Sequence, residues 1–146
     1  MTARRTVEDE AGNQYLLLKA SAESSLVRDP DTGETTHLPA ETLDPVEEQS
    51  VLATAARALS PDIRTVLGAV PDERALGLLL ELDAEGPLAV RTLLSAYDLC
   101  ESDLHGLLAE LRAAGLLAET AVGGERGYET TETASDALAA LRDADP

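Results

Sequence analysis

Tryptophan and phenylalanine are absent from this 146-residue chain, and three tyrosines are its only aromatic residues. Without stacking rings, a platform for single-stranded nucleic acid or for splayed RNA bases is nearly excluded. A single cysteine, Cys100, rules out an internal disulfide and any cysteine-based zinc site. Lysine occurs once, as Lys19, and isoleucine once, as Ile63. No apolar run approaches the length of a bilayer span. Met1-Thr-Ala-Arg-Arg leads into charge, so no signal peptide is expected, and the expected location is cytoplasmic.

What is present is leucine, alanine and acid. Leucine (26) and alanine (24) make up a third of the residues, and 44% of the chain is apolar. That suffices for a real core, built from Leu, Val and Ala. The length suits one domain, or a small module joined to another. Against 11 Lys+Arg stand 28 Asp+Glu, for a formal charge of −17. This acidic, lysine-poor composition resembles that of salt-accumulating haloarchaeal proteins, and on that resemblance the charge reports a solvent of molar KCl. At ordinary ionic strength the same charge argues against a nucleic-acid partner.

Two periodicities divide the chain. Residues 5 to about 43 read as a small antiparallel meander of three or four strands. Its turns are expected at Ala11-Gly12-Asn13-Gln14 and at Asp29-Pro30-Asp31-Thr32-Gly33. After Asp44-Pro45 the period becomes 3.6. Amphipathic faces are expected at Leu52/Ala55/Ala56/Leu59, Ile63/Val66/Leu67/Val70, Ala75/Leu78/Leu79/Leu82, Val90/Leu93/Leu94/Tyr97, Leu104/Leu107/Leu108/Leu111 and Ala134/Ala137/Leu138/Leu141. The expected organisation is an α+β chain. A β-rich module occupies 1–45, a helical connection 46–70, a winged helix-turn-helix 71–142 and a tail 143–146.

The order within 71–142 carries that assignment. A helix (72–83) precedes a short strand at Leu88-Ala89 and a second helix (91–97). The turn Asp98-Leu99-Cys100 leads to a third helix (101–114) that stops at Gly115. A hairpin over 116–131 with a Gly123-Gly124-Glu125-Arg126-Gly127 tip and a last helix from Ala134 complete the series. Leu99-Cys100-Glu101-Ser102-Asp103-Leu104, followed by Leu108 and Leu111-Arg112-Ala113-Ala114-Gly115-Leu116-Leu117, resembles the turn and recognition helix of ArsR/MarR-like regulators. Gly127-Tyr128-Glu129-Thr130-Thr131 is similar to their second wing strand entering the last helix. The motif resemblance covers roughly the C-terminal half. The whole chain resembles small haloarchaeal winged-helix proteins of unassigned function, in which a β-rich piece precedes this module.

The resemblance implies a non-enzymatic regulator of double-stranded DNA. It would read the major groove with the helix at 101–114 and reach the backbone or minor groove with the wing at 116–131. With Leu104, Leu107, Leu108 and Leu111 turned inward, Ser102, Asp103, His105, Gly106, Ala109 and Arg112 fall on the outward face. Ser102 and His105 are candidates for base edges, and Arg91 and Arg126 for phosphates. Asp103 has two roles open to it: accepting from a cytosine amino group, or complementing the helix dipole. Residues 71–142 hold 14 acids and 5 arginines, which keeps a second function open, a protein-protein adaptor built on a winged helix. A protein partner for the β-module is also open. The Ala-rich faces at Leu52–Leu59 and Ala134–Leu141 are expected to lie in the core or in a homodimer interface.

No cofactor or metal is expected. Cys100 and His105 are five apart across a helix start and do not share a face. From Asp29, the position that a calcium loop reserves for glycine is Glu34, so that pattern fails and the segment is a hairpin turn. His37, in a polar strand, is expected to be exposed. Gly123, Gly124 and Gly127 are all expected to serve the wing turn.

Overall fold

The computed structural model describes residues 3–143. The expected tail at 143–146 lies outside them apart from Asp143, as do Met1 and Thr2. Contacts divide the chain into two compact units, Met1–Ser60 and Pro61–Pro146. The boundary falls inside the stretch read above as a helical connection. The fold is α+β, with a β-meander first and a winged helix-turn-helix last.

In the first unit, β1 (Arg5–Glu8), β2 (Gln14–Ala20), β3 (Ser24–Arg28) and β4 (Thr35–Pro39) form an antiparallel meander. Its first turn is set by Asp9, whose carboxylate accepts from the amides of Asn13 and Ala11. Those bonds, Asn13's foremost, hold the Asp9 carboxyl below the usual carboxylate range. Asp29 and Glu34 close the second hairpin, with the Gly33 amide donating to the Asp29 carbonyl at 2.8 Å. A further strand, β5 (Asp44–Pro45), lies along the outer edge of β1, so the sheet has five strands in the order β4-β3-β2-β1-β5. Three or four were expected. The difference arises because the chain turns back after Leu43, and the Val46 amide reaches the Thr6 carbonyl at 2.9 Å.

One sheet face buries Val7, Leu17 and Val27 against Tyr15, Leu38 and Leu43. On the other face, α1 (Val51–Ala55) is joined to β1 by buried Thr54 and Thr6, whose hydroxyls lie 2.7 Å apart. The continuous helix expected over Leu52–Leu59 is therefore corrected: α1 ends at Ala55 and a 3-10 turn spans Ala56–Ala58. Thr54 takes the inward position, which turns Leu52 out to 78% exposure.

The second unit runs α2 (Pro61–Ala69), α3 (Glu73–Glu85), β6 (Leu88–Ala89), α4 (Val90–Ala96), α5 (Glu101–Ala113), β7 (Leu117–Val122), β8 (Glu125–Thr130) and α6 (Glu132–Asp143). Its core is almost entirely leucine and alanine. Leu79 and Leu82 of α3, Leu93 of α4, Leu104, Leu108 and Leu111 of α5 and Leu138 of α6 are all buried in one cluster. Tyr128 is the single buried aromatic among the described residues. The Thr131 hydroxyl donates to the Gly115 carbonyl at 2.7 Å and accepts from the Ala134 amide at 3.3 Å. It thereby caps α6 and ties it to the end of α5. The expected inward faces hold for α3 and α5, while Leu67 of α2 is 59% exposed.

The three-stranded sheet β6-β8-β7 forms the wing. Gly123 and Gly124, at φ +60° and +82°, make its two-residue turn. Gly127 is not part of that turn, contrary to the expectation. It sits within β8, where a Cβ would lie 2.6 Å from the Leu88 carbonyl oxygen and 2.7 Å from Val122 Cγ2. Glycine is required there because β6, pairing with β8 through Ala89 opposite Gly127, leaves no room for a side chain. Gly127→Ala is expected to lower stability by about 1–3 kcal/mol through forced backbone shifts. Gly77→Ala, in open space on α3, is expected to raise it by roughly 0.5–1 kcal/mol. Chemical denaturation of both variants checks the contrast; equal effects would show that β6 yields freely.

Candidate nucleic-acid interface

The helix-turn-helix is built by a backbone feature that the sequence gives little sign of. α4 closes at Tyr97, and Asp98 adopts φ +49°, alone among the described non-glycine residues in the left-handed region. Aspartate tolerates that conformation better than most side chains. The turn is pinned to α3 by the Tyr97 hydroxyl, which donates to Glu81 at 2.9 Å. That bond to a carboxylate raises the Tyr97 pKa.

Burying Leu104, Leu108 and Leu111 leaves the opposite side of α5 to solvent. Ser102, Asp103, His105, Gly106, Ala109 and Arg112 are all exposed, as are Arg91 at the start of α4 and Arg126 in β8. Cys100 stands at the N-cap of α5, exposed and without a side-chain cap bond. Asp103 likewise makes no cap bond. Its carboxylate meets Arg74 at 3.7 Å, while its first-turn position remains favourable to the helix dipole.

Every basic candidate has an acidic partner. Glu119 of β7 is the centre: one carboxylate oxygen accepts from Arg126 Nε at 2.8 Å and the other from Arg112 Nη1 at 3.1 Å. Arg126 also donates to the Tyr128 hydroxyl at 2.8 Å and lies 5.7 Å from its ring centroid. The Tyr128 bond, and then the Glu119 charge, push the Arg126 pKa further up. Arg91 pairs with Glu125 at 3.1 Å, and His105 Nε2 lies 3.7 Å from Glu101. Glu119 thus links both wing strands to the last turn of α5, and a separate pair, Arg91 with Glu125, links the start of α4 to β8.

The structure thus brings Arg112 and Arg126 together on Glu119, while Arg91 is held separately by Glu125, whose side chain alternates to the other face of the wing. Ser102, Asp103, His105 and Gly106 lie nearer the start of α5. Glu119, Glu125, Tyr128 and Arg74 were not singled out from the sequence. The hairpin register supplies the missing signal: a two-residue turn pairs Val122 with Glu125, which puts Glu119 opposite Tyr128 and diagonal to Arg126. Among the described residues no three His, Cys, Asp or Glu side chains gather as a metal site would require. Nor is any described helix long and apolar enough to cross a membrane.

The model of a family of unknown function (DUF7346) matches residues 4–142, and the chain belongs to that family. No curated protein matches it. Among solved structures, a crystal structure of a transcriptional regulator, HlyU, from Vibrio vulnificus CMCP6 is similar at a TM-score of 0.50 and 24% identity. The match covers 69% of this chain and 100% of that one, and at this identity it speaks for the fold alone.

Asp98→Val is expected to destabilise the second unit by about 1–2 kcal/mol, since a β-branched residue fits the left-handed region poorly. Asp98→Gly is expected to keep the turn. Thermal unfolding monitored by circular dichroism separates the two; if valine is tolerated, the turn geometry does not depend on this residue.

Proposed function

For this member of a family of unknown function, we propose a DNA-binding transcriptional regulator in which α5 reads the major groove and the β7–β8 wing holds the backbone. The pair Arg112 and Arg126, held on Glu119 on the wing side of an exposed helix face, carries this proposal, with Arg91 at the start of α4 as a separate phosphate contact. In the proposed complex each guanidinium exchanges its carboxylate for a phosphate. Ser102, His105, Gly106 and Asp103 face base edges. The role is non-catalytic and the location cytoplasmic.

The acid surplus fits a host that accumulates molar KCl. At about 1 M salt the screening length is ~3 Å, so carboxylates beside the helix repel phosphates weakly. Surface ion pairs are worth about 0–1 kcal/mol, so the exchange of partners costs little. Cations held between carboxylate and phosphate would add to affinity.

The regulator is proposed to act as a homodimer through α2 and α6, which pack on each other and expose Leu67 and Leu141 at 59% and 37%. Two recognition helices would then face a palindromic site.

The alternative is an adaptor that uses the same acidic face for a basic protein, favoured by Glu101 and Asp103 flanking Ser102. Partner binding through the β-module belongs to that alternative.

Arg91→Ala with Arg126→Ala is expected to weaken binding to operator fragments and to flatten the salt slope by roughly 0.9 per lost phosphate contact. Glu119→Gln, which releases Arg112 and Arg126, is expected to tighten it. Genome-wide occupancy of the tagged chain in its native host supplies the fragments, and fluorescence anisotropy across a KCl series reads the affinities. Unchanged occupancy in the arginine variant, with its fold intact, would sink the DNA function and leave the adaptor. Affinity that only falls as KCl rises would remove cation bridging. In sedimentation, Leu67→Glu with Leu141→Glu is expected to give monomers; an unchanged mass overturns the proposed dimer seam.

A further inference from the structure

The first unit contains a trough that the DNA-binding proposal does not use. Its volume is about 290 Å³, and Leu16, Leu18, Val51, Leu52, Ala55, Arg4 and Arg28 line it. The strand register explains the arrangement. Thr6 of β1 lies opposite Leu16 of β2, and Leu16 lies opposite Arg28 of β3. That register puts Thr6, Leu16 and Arg28 on one sheet face, while Arg4 precedes β1 and Leu18 sits in a bulge between Leu17 and Lys19, and both line the same trough. That is the face α1 covers, because Thr54 bonds Thr6 there. The leucines therefore form an apolar floor, α1 forms a wall, and one guanidinium stands on the β1 side with the other on the β3 side.

Arg57, Arg74, Arg91, Arg112 and Arg126 each have a carboxylate within 4.0 Å. Arg4, Arg5, Lys19, Arg28 and Arg142 have no ion pair among the described residues, and two of these five stand at the trough. Leu52, on the trough wall, is the most exposed large apolar side chain described. Two uncompensated cations flanking an apolar floor are complementary to one kind of small molecule. It has an apolar chain to cover the leucines and an anionic head to meet the guanidinium groups.

We propose that this trough binds a small alkyl carboxylate, with the chain over Leu16 and Leu18 and the carboxylate between Arg4 and Arg28. Pairing with two guanidinium forks favours a planar carboxylate head. A volume near 290 Å³ is at the small end of ligand sites, which limits the chain to a short one. The proposal stands independently of the DNA-binding function, since every residue involved belongs to the first unit.

Titration of the full chain with potassium octanoate in molar KCl, followed by amide chemical shifts, tests it. Saturable shifts at Leu16, Leu18, Arg28, Val51 and Leu52 are expected, with acetate and octanol each binding at least about tenfold more weakly. Arg4→Ala with Arg28→Ala is expected to weaken octanoate by about tenfold while leaving octanol unchanged. Ala55→Glu, at an exposed position on the wall, is expected to abolish binding with the fold intact. Equal binding of octanoate and octanol would overturn the proposal. So would an arginine variant of unchanged affinity, shifts that never saturate, or no shifts at the trough.

Discussion

Three leucines determine which side of α5 meets solvent. Leu104, Leu108 and Leu111 are fully buried against leucines of α3 and α4. Each is worth roughly 1.5–3 kcal/mol in apolar burial. Rotating the helix to present another face would expose that set and bury Ser102, Asp103 and His105, at the high cost of hiding polar groups without partners. The exposed row thus follows from core packing alone. The Thr131 contact with Gly115 fixes where the helix ends, and the pairing of β6 with β8 at Gly127 fixes where the wing stands. With no large aromatic residue except Tyr128 in this core, specificity of packing comes from interlocking leucines, and substitutions that change volume will be felt widely.

The first unit depends on a different kind of contact. The Thr6–Thr54 hydroxyl pair is buried and joins sheet to helix; Thr54 also donates to the Ser50 carbonyl at 3.3 Å, so it is Thr6 that depends on the pair. Replacing Thr54 alone strands the Thr6 hydroxyl, which costs more than the bond itself contributes. This pair orients α1 and so leaves the trough open beside it, with Val51, Leu52 and Ala55 along its wall.

Much of the second unit was legible in the sequence because its long helices repeat the 3.6 period for three turns or more. α3 and α5 emerged within two residues of their expected bounds, and their inward leucines were read correctly. Short elements were not legible. In α1, five residues cannot establish a period, and the tertiary bond of Thr54 outweighed the apolar spacing of Leu52 and Ala55. β5 has two residues, one of them Pro45, and no strand signal of its own. The candidate arginines were visible by type and position. Their partners were not, because the Gly-rich wing tip allowed several registers and only one of them sets Glu119 beside Arg126. Asp98 shows the same limit: nothing about the residue announces a left-handed turn.

Charge then decides under what conditions such a surface can work. In dilute buffer, the carboxylates of Glu119 and Glu125 would compete with phosphates for the same guanidinium groups, and those of Glu101 and Asp103 would add to the repulsion of a duplex. In molar salt both effects shrink together, because the pairs are exposed and screening reaches ~3 Å. What survives is what screening leaves alone: the fit of α5 to a groove, hydrogen bonds at contact distance, and apolar burial, which excluded salts strengthen. A basic recognition face would gain little under those conditions, since counterion release contributes most when bulk salt is low. Pairing each guanidinium with a neighbouring carboxylate instead holds Arg112 and Arg126 in place on Glu119, from which, on the proposed function, a phosphate would displace them. An acidic winged helix is therefore consistent with DNA binding in concentrated salt, and the same surface would be a poor one in dilute buffer.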